Sequence, residues 1–245
     1  MSKIAVVNFS GNVGKTSVSV DFLSPRMGNP PIFSIESINL GADATALNVE
    51  QMKGKKFGDL IAKLMPLKSA IVDVGASNVE DFVRLMQQNE GAHEEFHFFV
   101  VPTIKEKKAI TDTINTIDAL NKIGVPMEKI RLVFNKIDAD DLVEDEFGSL
   151  FAHAANTKAF IISEHAVIYS NEVFEKLKEL GKTLADIGAD KTDYRARFDV
   201  TTDAEEKTKC LRMVSAGRLA ITANRNLDAV FKVLFAEVEA AEVEI

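Results

Sequence analysis

Ten residues, Asn8 to Ser17, read NFSGNVGKTS and concentrate two glycines, one lysine and three hydroxyls. Gly11 and Gly14 can take backbone angles closed to other residues. With Asn12 and Val13 between them, they let successive amide N–H groups turn inward as an anion nest. A helix starting near Lys15 would add the partial positive charge of its N-terminus. Lys15 would then reach the β- and γ-phosphates of a nucleotide, and the Thr16 hydroxyl, followed by Ser17, would face the Mg²⁺ that bridges them. The common form of such a loop is glycine, four residues, then Gly-Lys-Ser/Thr. Here the first glycine's position holds Phe9.

Three further stretches carry chemistry. SAIVDVGAS ends an apolar run in Asp73, an acid placed to hold Mg²⁺ through water. Gly75 follows and would let a backbone amide approach a terminal phosphate. FSIESINLGAD carries a second acid, Glu36, near the end of another apolar run. RLVFNKIDADD ends a strand-like run in Asn135-Lys136-Ile137-Asp138, the Asn-Lys-x-Asp pattern in which the aspartate accepts from the N1 and N2 donors of guanine. HEEFH, His93 to His97, matches His-Glu-x-x-His, but zinc chemistry needs both histidines on one helical face. His97 sits in EFHFFVVP, which reads as a strand, where residues four apart are roughly 13 Å from each other. One zinc ion cannot bridge them.

The elements that would position these residues alternate. Apolar runs of strand length are Ile4–Phe9, Pro31–Ile38, Ser69–Gly75, Phe96–Pro102, Ile130–Asn135 and Ala159–Ser163, and runs apolar on both faces predict strands buried between two layers. Helical periodicity falls on Lys15–Leu23, Gly58–Leu64, Val79–Gln88, Glu106–Ile123, Asp141–Ala155 and Asn171–Leu180. This alternation predicts a doubly wound, mostly parallel sheet with helices on both faces. Ligands of such sheets bind at the carboxyl ends of the strands, and the Gly11–Thr16 loop, Glu36, Asp73 and Asn135 all fall at such ends. After about Gly188 the pattern changes to a charged stretch, and Ala204–Ala241 reads as one or two helices. The expected organisation is a nucleotide-binding unit over 1–188 with a helical extension over 189–245 packed on the same domain.

Bulk properties narrow the class. A chain of 245 residues with 46% hydrophobic and 27% charged residues suits one large soluble domain. The single cysteine, Cys210, permits no internal disulfide, fits a cytoplasmic setting and reads as structural. No run approaches the ~20 apolar residues of a membrane span, and nothing at the start resembles a signal peptide. The net charge of −8 argues against a surface given over to nucleic acid. The acidic tail, with Glu237, Glu239, Glu242 and Glu244, would be repelled by anionic lipid, so no membrane anchor is expected. Val230, Leu234 and Val238 could enter a groove on a protein partner, but packing back onto the core is the expected arrangement.

On Gly11, Val13, Gly14, Lys15 and Thr16 the chain resembles the deviant Walker A P-loop ATPases of the ParA/MinD group, whose loop reads Lys-Gly-Gly-x-Gly-Lys-Thr and dispenses with the glycine at Phe9. The resemblance implies a P-loop NTPase fold over roughly residues 1–180, with ATP and Mg²⁺ as cofactors. It also implies Lys15, Glu36 and Asp73 in catalytic roles, and Thr16 and Asp73 at the metal. Asn135 stands where that group contacts adenine. ATP is therefore favoured over GTP, although Asp138 keeps guanine open. The family's signature lysine falls on Ser10, its second glycine on Asn12, and the second acid of its Asp-x-Asp on Ile38. In the family that lysine reaches across a nucleotide-sandwich dimer, so a nucleotide-dependent homodimer would need another cation here. Slow or partner-stimulated hydrolysis is implied. IAVVNFSGNVGKTS looks most like the plasmid stability proteins called StbB, which implies a switch in plasmid partition or conjugative transfer and a plasmid-encoded DNA-binding protein as partner, with direct DNA binding weak or absent. The rival readings are a GTPase, a nucleotide-binding module without turnover, and a metabolic enzyme similar to dethiobiotin synthetase, whose carboxylate substrate would need residues not evident near the loop.

Overall fold

The computed structural model describes residues 2–35 and 55–243, with side chains placed for 2–35 and 57–235. Six strands form one sheet: β1 (Lys3–Val6), β2 (Ile32–Ile35), β3 (Ala70–Val74), β4 (Phe98–Thr103), β5 (Ile130–Ile137) and β6 (Val167–Tyr169). Their order is β2-β3-β1-β4-β5-β6, and every pairing is parallel. From β1 the chain winds first toward β3 and β2, then crosses to β4, β5 and β6. The carboxyl end of β1 therefore lies where the winding changes direction, the position at which open α/β sheets bind ligands.

Alternation along the strands divides the apolar side chains between two cores. Ala5 and Val7 join Val72, Phe99, Leu132 and Phe134 on one face, while Ile4 and Val6 join Ile71, Phe98, Val100 and Val133 on the other. The helical run behind the first loop starts as α1 (Lys15–Ser17), continues through a π-helical segment, Val18–Leu23, and ends as α2 (Ser24–Arg26). The other main helices are α3 (Lys55–Leu64), α4 (Val79–Gln88), α5 (Lys107–Lys122), α6 (Val143–Glu146), α7 (Gly148–Thr157), α8 (Val173–Leu180), α9 (Leu184–Ala189), α10 (Tyr194–Val200) and α11 (Ala204–Val243). Helices α3, α4, α5 and α7 feed the first core, with Phe57, Phe82, Ile117, Leu120 and Leu150. The run from α1 to α2 and helices α8, α9 and α11 feed the second, with Phe22, Leu177, Ile187, Ala220 and Leu227. This is a P-loop α/β fold, an all-parallel sheet covered on both faces.

Three expectations need correction. Ala159–Ser163 is not a strand: Ile161 makes only an isolated bridge to Arg131, and the sixth strand is Val167–Tyr169. Both runs are short and apolar, and a three-residue strand carries too little periodicity to compete with its neighbour. The Asp141–Ala155 helix is broken into α6 and α7 around Phe147, whose ring is fully buried against Phe134. His97 precedes β4 instead of lying within it, and its Nδ1 accepts from the Lys3 amide at 3.0 Å. His93 sits in a separate 3₁₀ turn, Ala92–Glu95. Helix α11 is a single element whose Val230 and Leu234 are buried in the second core. Val238 lies outside the described side chains. Cys210 is fully buried.

Candidate nucleotide-binding site

The loop begins where β1 runs out. Asn8 is fully buried there, and its amide Nδ2 donates to Pro102 O and Thr113 Oγ1, both at 2.8 Å. Its Oδ1 accepts from the Ser10 amide at 2.7 Å. Thr116 Oγ1 accepts from Phe9 N–H at 3.0 Å, and Phe9 packs against the first core. The position that lacks the usual glycine is therefore an anchor: its side chain and its amide tie the start of the loop to α5.

Beyond Ser10 the backbone turns twice through the left-handed region, at Asn12 (φ 59°) and Gly14 (φ 85°). A Cβ on Gly14 would collide with the Asn135 amide nitrogen. Glycine is therefore required twice over, for its backbone angle and for the close approach of β5. Lys15 opens the helix and is buried, with Nζ donating to Ser10 O at 2.7 Å and Asn8 O at 3.1 Å. Thr16 is exposed at the same helix end.

The end of β5 holds the loop from the other side. Asn135 Nδ2 donates to Val13 O at 2.8 Å, and its Oδ1 accepts from the Lys136 amide at 3.0 Å. An irregularity in the pairing between Asn135 and Ile137 puts Lys136 at φ 58°, and its Nζ donates to Asn12 O at 2.9 Å. Both residues are thus committed to the loop's carbonyls. Asp138 is exposed. Lys105 Nζ at 2.9 Å, and then a bond from Ser170, hold its carboxyl below the usual carboxylate range. Lys105 also pairs with Asp141, and these two carboxylates raise its own pKa.

A cavity of about 930 Å³ opens over this arrangement, lined by the loop from Gly11 to Ser17 and by Asp73, Gly75, Asn135, Lys136 and the Tyr169–Glu172 segment. That volume is in the range of cofactor pockets. Asp73 is buried next to the end of β3 and reaches the cavity beside the loop. The structure thus brings together Gly11, Asn12, Gly14, Lys15, Thr16, Ser17, Asp73 and Asn135. Val13 is buried beneath the loop, and Asp138 lies just outside the lining. Glu36 lies outside the described residues.

The donor set suits a polyphosphate. A lysine ammonium held by two backbone carbonyls can exchange them for phosphate oxygens without leaving its place, and charge-assisted bonds are the stronger ones. No cluster of three or more His, Cys, Asp or Glu able to hold a metal occurs among the described residues. Thr16 and Asp73 fit Mg²⁺ in the way that ion is usually held, by few protein oxygens together with phosphate and water.

Several residues here escaped the sequence reading. Asn8 had a signal, a polar side chain ending an all-apolar strand. Asp21 had none. It lines the cavity from the π-helical segment, accepts from Leu184 N–H at 3.1 Å, and has its pKa raised mainly by burial. Lys178 and Lys182 also reach the cavity.

No protein-family model matches the chain, and no curated protein does. Solved structures do match. The MinC:MinD cell division protein complex of Aquifex aeolicus aligns at 14% identity over 76% of this chain and 88% of that one, with a TM-score of 0.53. A putative plasmid partition protein from Borrelia burgdorferi B31 bound to AMPPNP aligns at 11% identity over 88% and 97%, with a TM-score of 0.50. The septum site-determining protein MinD of Pyrococcus horikoshii OT3 complexed with Mg-ADP aligns at 17% identity over 77% and 90%, with a TM-score of 0.49. At these identities the likeness is one of fold: the chain shares its architecture with the Aquifex MinD and the Borrelia putative partition protein.

Proposed function

We propose that this protein is a Mg-ATP-binding switch with slow or partner-stimulated ATPase activity, acting in plasmid partition or conjugative transfer through a DNA-binding protein partner. The observation that carries the reading is Lys15. It is a buried ammonium, satisfied by two loop carbonyls, at the head of the first helix and on the lining of the cavity over the loop. In the bound state Lys15 would hold phosphate oxygens with the amides of Gly11–Thr16. Thr16 and Asp73 would hold Mg²⁺, which supplies charge neutralisation at the phosphates. Glu36 is assigned to metal or water, and Asn135 keeps Val13 O turned away from the ligand. The fold shared with a partition protein that binds AMPPNP supports the adenine nucleotide and the partition role. A switch requires that the partner bind the two nucleotide states differently.

The test is a titration with fluorescent ATP and GTP analogues in the presence of Mg²⁺. Wild type should bind, and Lys15→Ala should bind at least tenfold more weakly, since bonds to a charged group contribute about 1.5–3 kcal/mol. Folded wild type that binds neither nucleotide would sink the reading.

A guanine reading draws on one observation, the exposed Asp138 carboxylate, held ionised by Lys105 beside the cavity segment that contains Ser170. An ionised carboxylate accepts from guanine's two neighbouring donors, whereas an amide at the same place would suit xanthine, which carries an oxygen where guanine has its amino group. Under this reading GTP outcompetes ATP, and Asp138→Asn transfers the preference to XTP. Under the adenine reading Asp138→Asn leaves ATP affinity within twofold.

A further inference from the structure

One turn of α11 grips both walls of the cavity. On one side Asn226 bonds to β6 with both ends of its amide: Nδ2 donates to Val167 O at 2.8 Å, and Oδ1 accepts from Tyr169 N–H at 3.0 Å. Because β6 is the edge of the sheet, this side chain supplies the hydrogen bonds of a missing neighbouring strand, at the point where the chain enters the cavity-lining segment Tyr169–Glu172. On the other side Asn224 and Asp228, one turn apart, hold Arg26. Arg26 Nη2 lies 3.1 Å from Asn224 O, 3.2 Å from Asn224 Oδ1 and 2.8 Å from Asp228 Oδ1. Nη1 of the same guanidinium donates to Phe22 O at 3.0 Å and Asp21 O at 3.3 Å, at the end of the helical run that starts with Lys15. Leu227, between these polar residues, lines the cavity itself. Helical spacing explains the arrangement. Ala220, Ala223, Leu227, Val230 and Leu234 make the buried stripe, and Asn226 falls to one side of it while Asn224 and Asp228 fall to the other.

We infer that Asn226 and Arg26 are positioning residues of the nucleotide site, clasping the phosphate-loop helix and the carboxyl end of β6 to α11 so that nucleotide affinity and the docking of α11 are thermodynamically linked. The inference rests on the reading of the cavity as a nucleotide site. Neither residue touches ligand: Asn226 acts through Tyr169–Glu172, and Arg26 through the helix that presents Lys15 and Thr16. By linkage, whatever the nucleotide gains from the clasp, the clasp gains from the nucleotide. A partner that grips α11 would then sense nucleotide state without approaching the loop.

The test uses the full chain and three variants. Asn226→Ala removes the grip on β6. Arg26→Lys keeps the charge but removes the second nitrogen, and stays readable if Asn226→Ala does not fold. Met213→Ala empties a buried position of α11 remote from the clasp and controls for lost stability. The readouts are affinity for the fluorescent nucleotide, Tm, and amide hydrogen exchange along α11 with and without nucleotide. Expected are about tenfold weaker binding in the clasp variants, wild-type affinity in Met213→Ala despite a lowered Tm, and nucleotide-induced protection of α11 around residues 224–230 that is lost in Asn226→Ala. Clasp variants that bind within twofold of wild type, or a control that weakens as much as they do, would overturn the inference. Absence of binding by the wild type is a separate outcome, which removes the nucleotide reading and this inference with it.

Discussion

Gly14 shows how much a single position carries. Its φ of 85° is in the region that side chains avoid, and a Cβ would strike the Asn135 amide that holds Val13 O. Gly14→Ala strains the backbone, at about 1–3 kcal/mol, and its Cβ also pushes the Asn135 amide off the loop. We expect a Tm lowered by several degrees together with at least tenfold weaker nucleotide binding, measured by thermal unfolding and analogue titration on the same sample. Unchanged affinity would mean that the loop does not depend on its contact with β5. Gly11 behaves differently, since a Cβ there meets nothing within 4 Å. The spacing Gly-x-x-Gly-Lys-Thr showed that two glycines mattered, but only the fold separates the one that is sterically required from the one that is not.

Among the elements, β1 and its continuation have the most to position. Asn8 ties the end of β1 to the end of β4 and to α5 through two buried bonds, and a third, from the Ser10 amide, shapes the start of the loop. Asn8→Ala leaves Pro102 O and the Ser10 amide to find new partners, while Thr113 keeps its bonds to Ala109 O and Thr103, a cost of about 1–3 kcal/mol by the usual penalty for buried unpaired groups. Chemical denaturation should show that loss. Nucleotide binding should weaken as well, because Ser10 O is one of the two carbonyls that hold Lys15. Denaturation within 0.5 kcal/mol of wild type would mean that water replaces the amide. The elements were largely legible. Five of the six expected strands overlap β1, β2, β3, β4 and β5, the end of the one expected over Pro31–Ile38 lying outside the described residues, and α4 spans the expected Val79–Gln88. What failed did so for a reason of scale. A three-residue strand such as β6 and a helix broken by one buried ring at Phe147 are decided by packing partners distant in sequence, so local periodicity carries no trace of them. In the candidate site, the loop and Asp73 were legible from local spacing. The clamp formed by Asn135 and Lys136 on the loop was not, because it joins residues more than 120 positions apart.

For the molecule as a whole, the sheet is buried between two cores, and the contacts that close it include one made by a titratable imidazole. His97 Nδ1 accepts the Lys3 amide at the junction of β1 and β4, and Lys3 Nζ also pairs with Glu95 at 3.1 Å. The His97 pKa is lowered, first by burial, then by Lys129 and Lys3, with Glu95 opposing. A histidine with a lowered pKa binds fewer protons folded than unfolded. Its contribution to stability is therefore fully present above the unfolded value of about 6.5 and is lost as pH falls from there through the lower folded value. Protonation would also turn Nδ1 from acceptor to donor and break the bond to Lys3. The denaturation midpoint should accordingly be flat just above neutrality and fall on acidification below about pH 6.5, ahead of the carboxylates. In His97→Gln, which keeps an acceptor near Lys3 without a titrating group, the fall should begin only nearer pH 5. Wild-type and His97→Gln midpoints that run parallel from pH 8 to pH 5 would place the acid-sensitive contact elsewhere in the molecule.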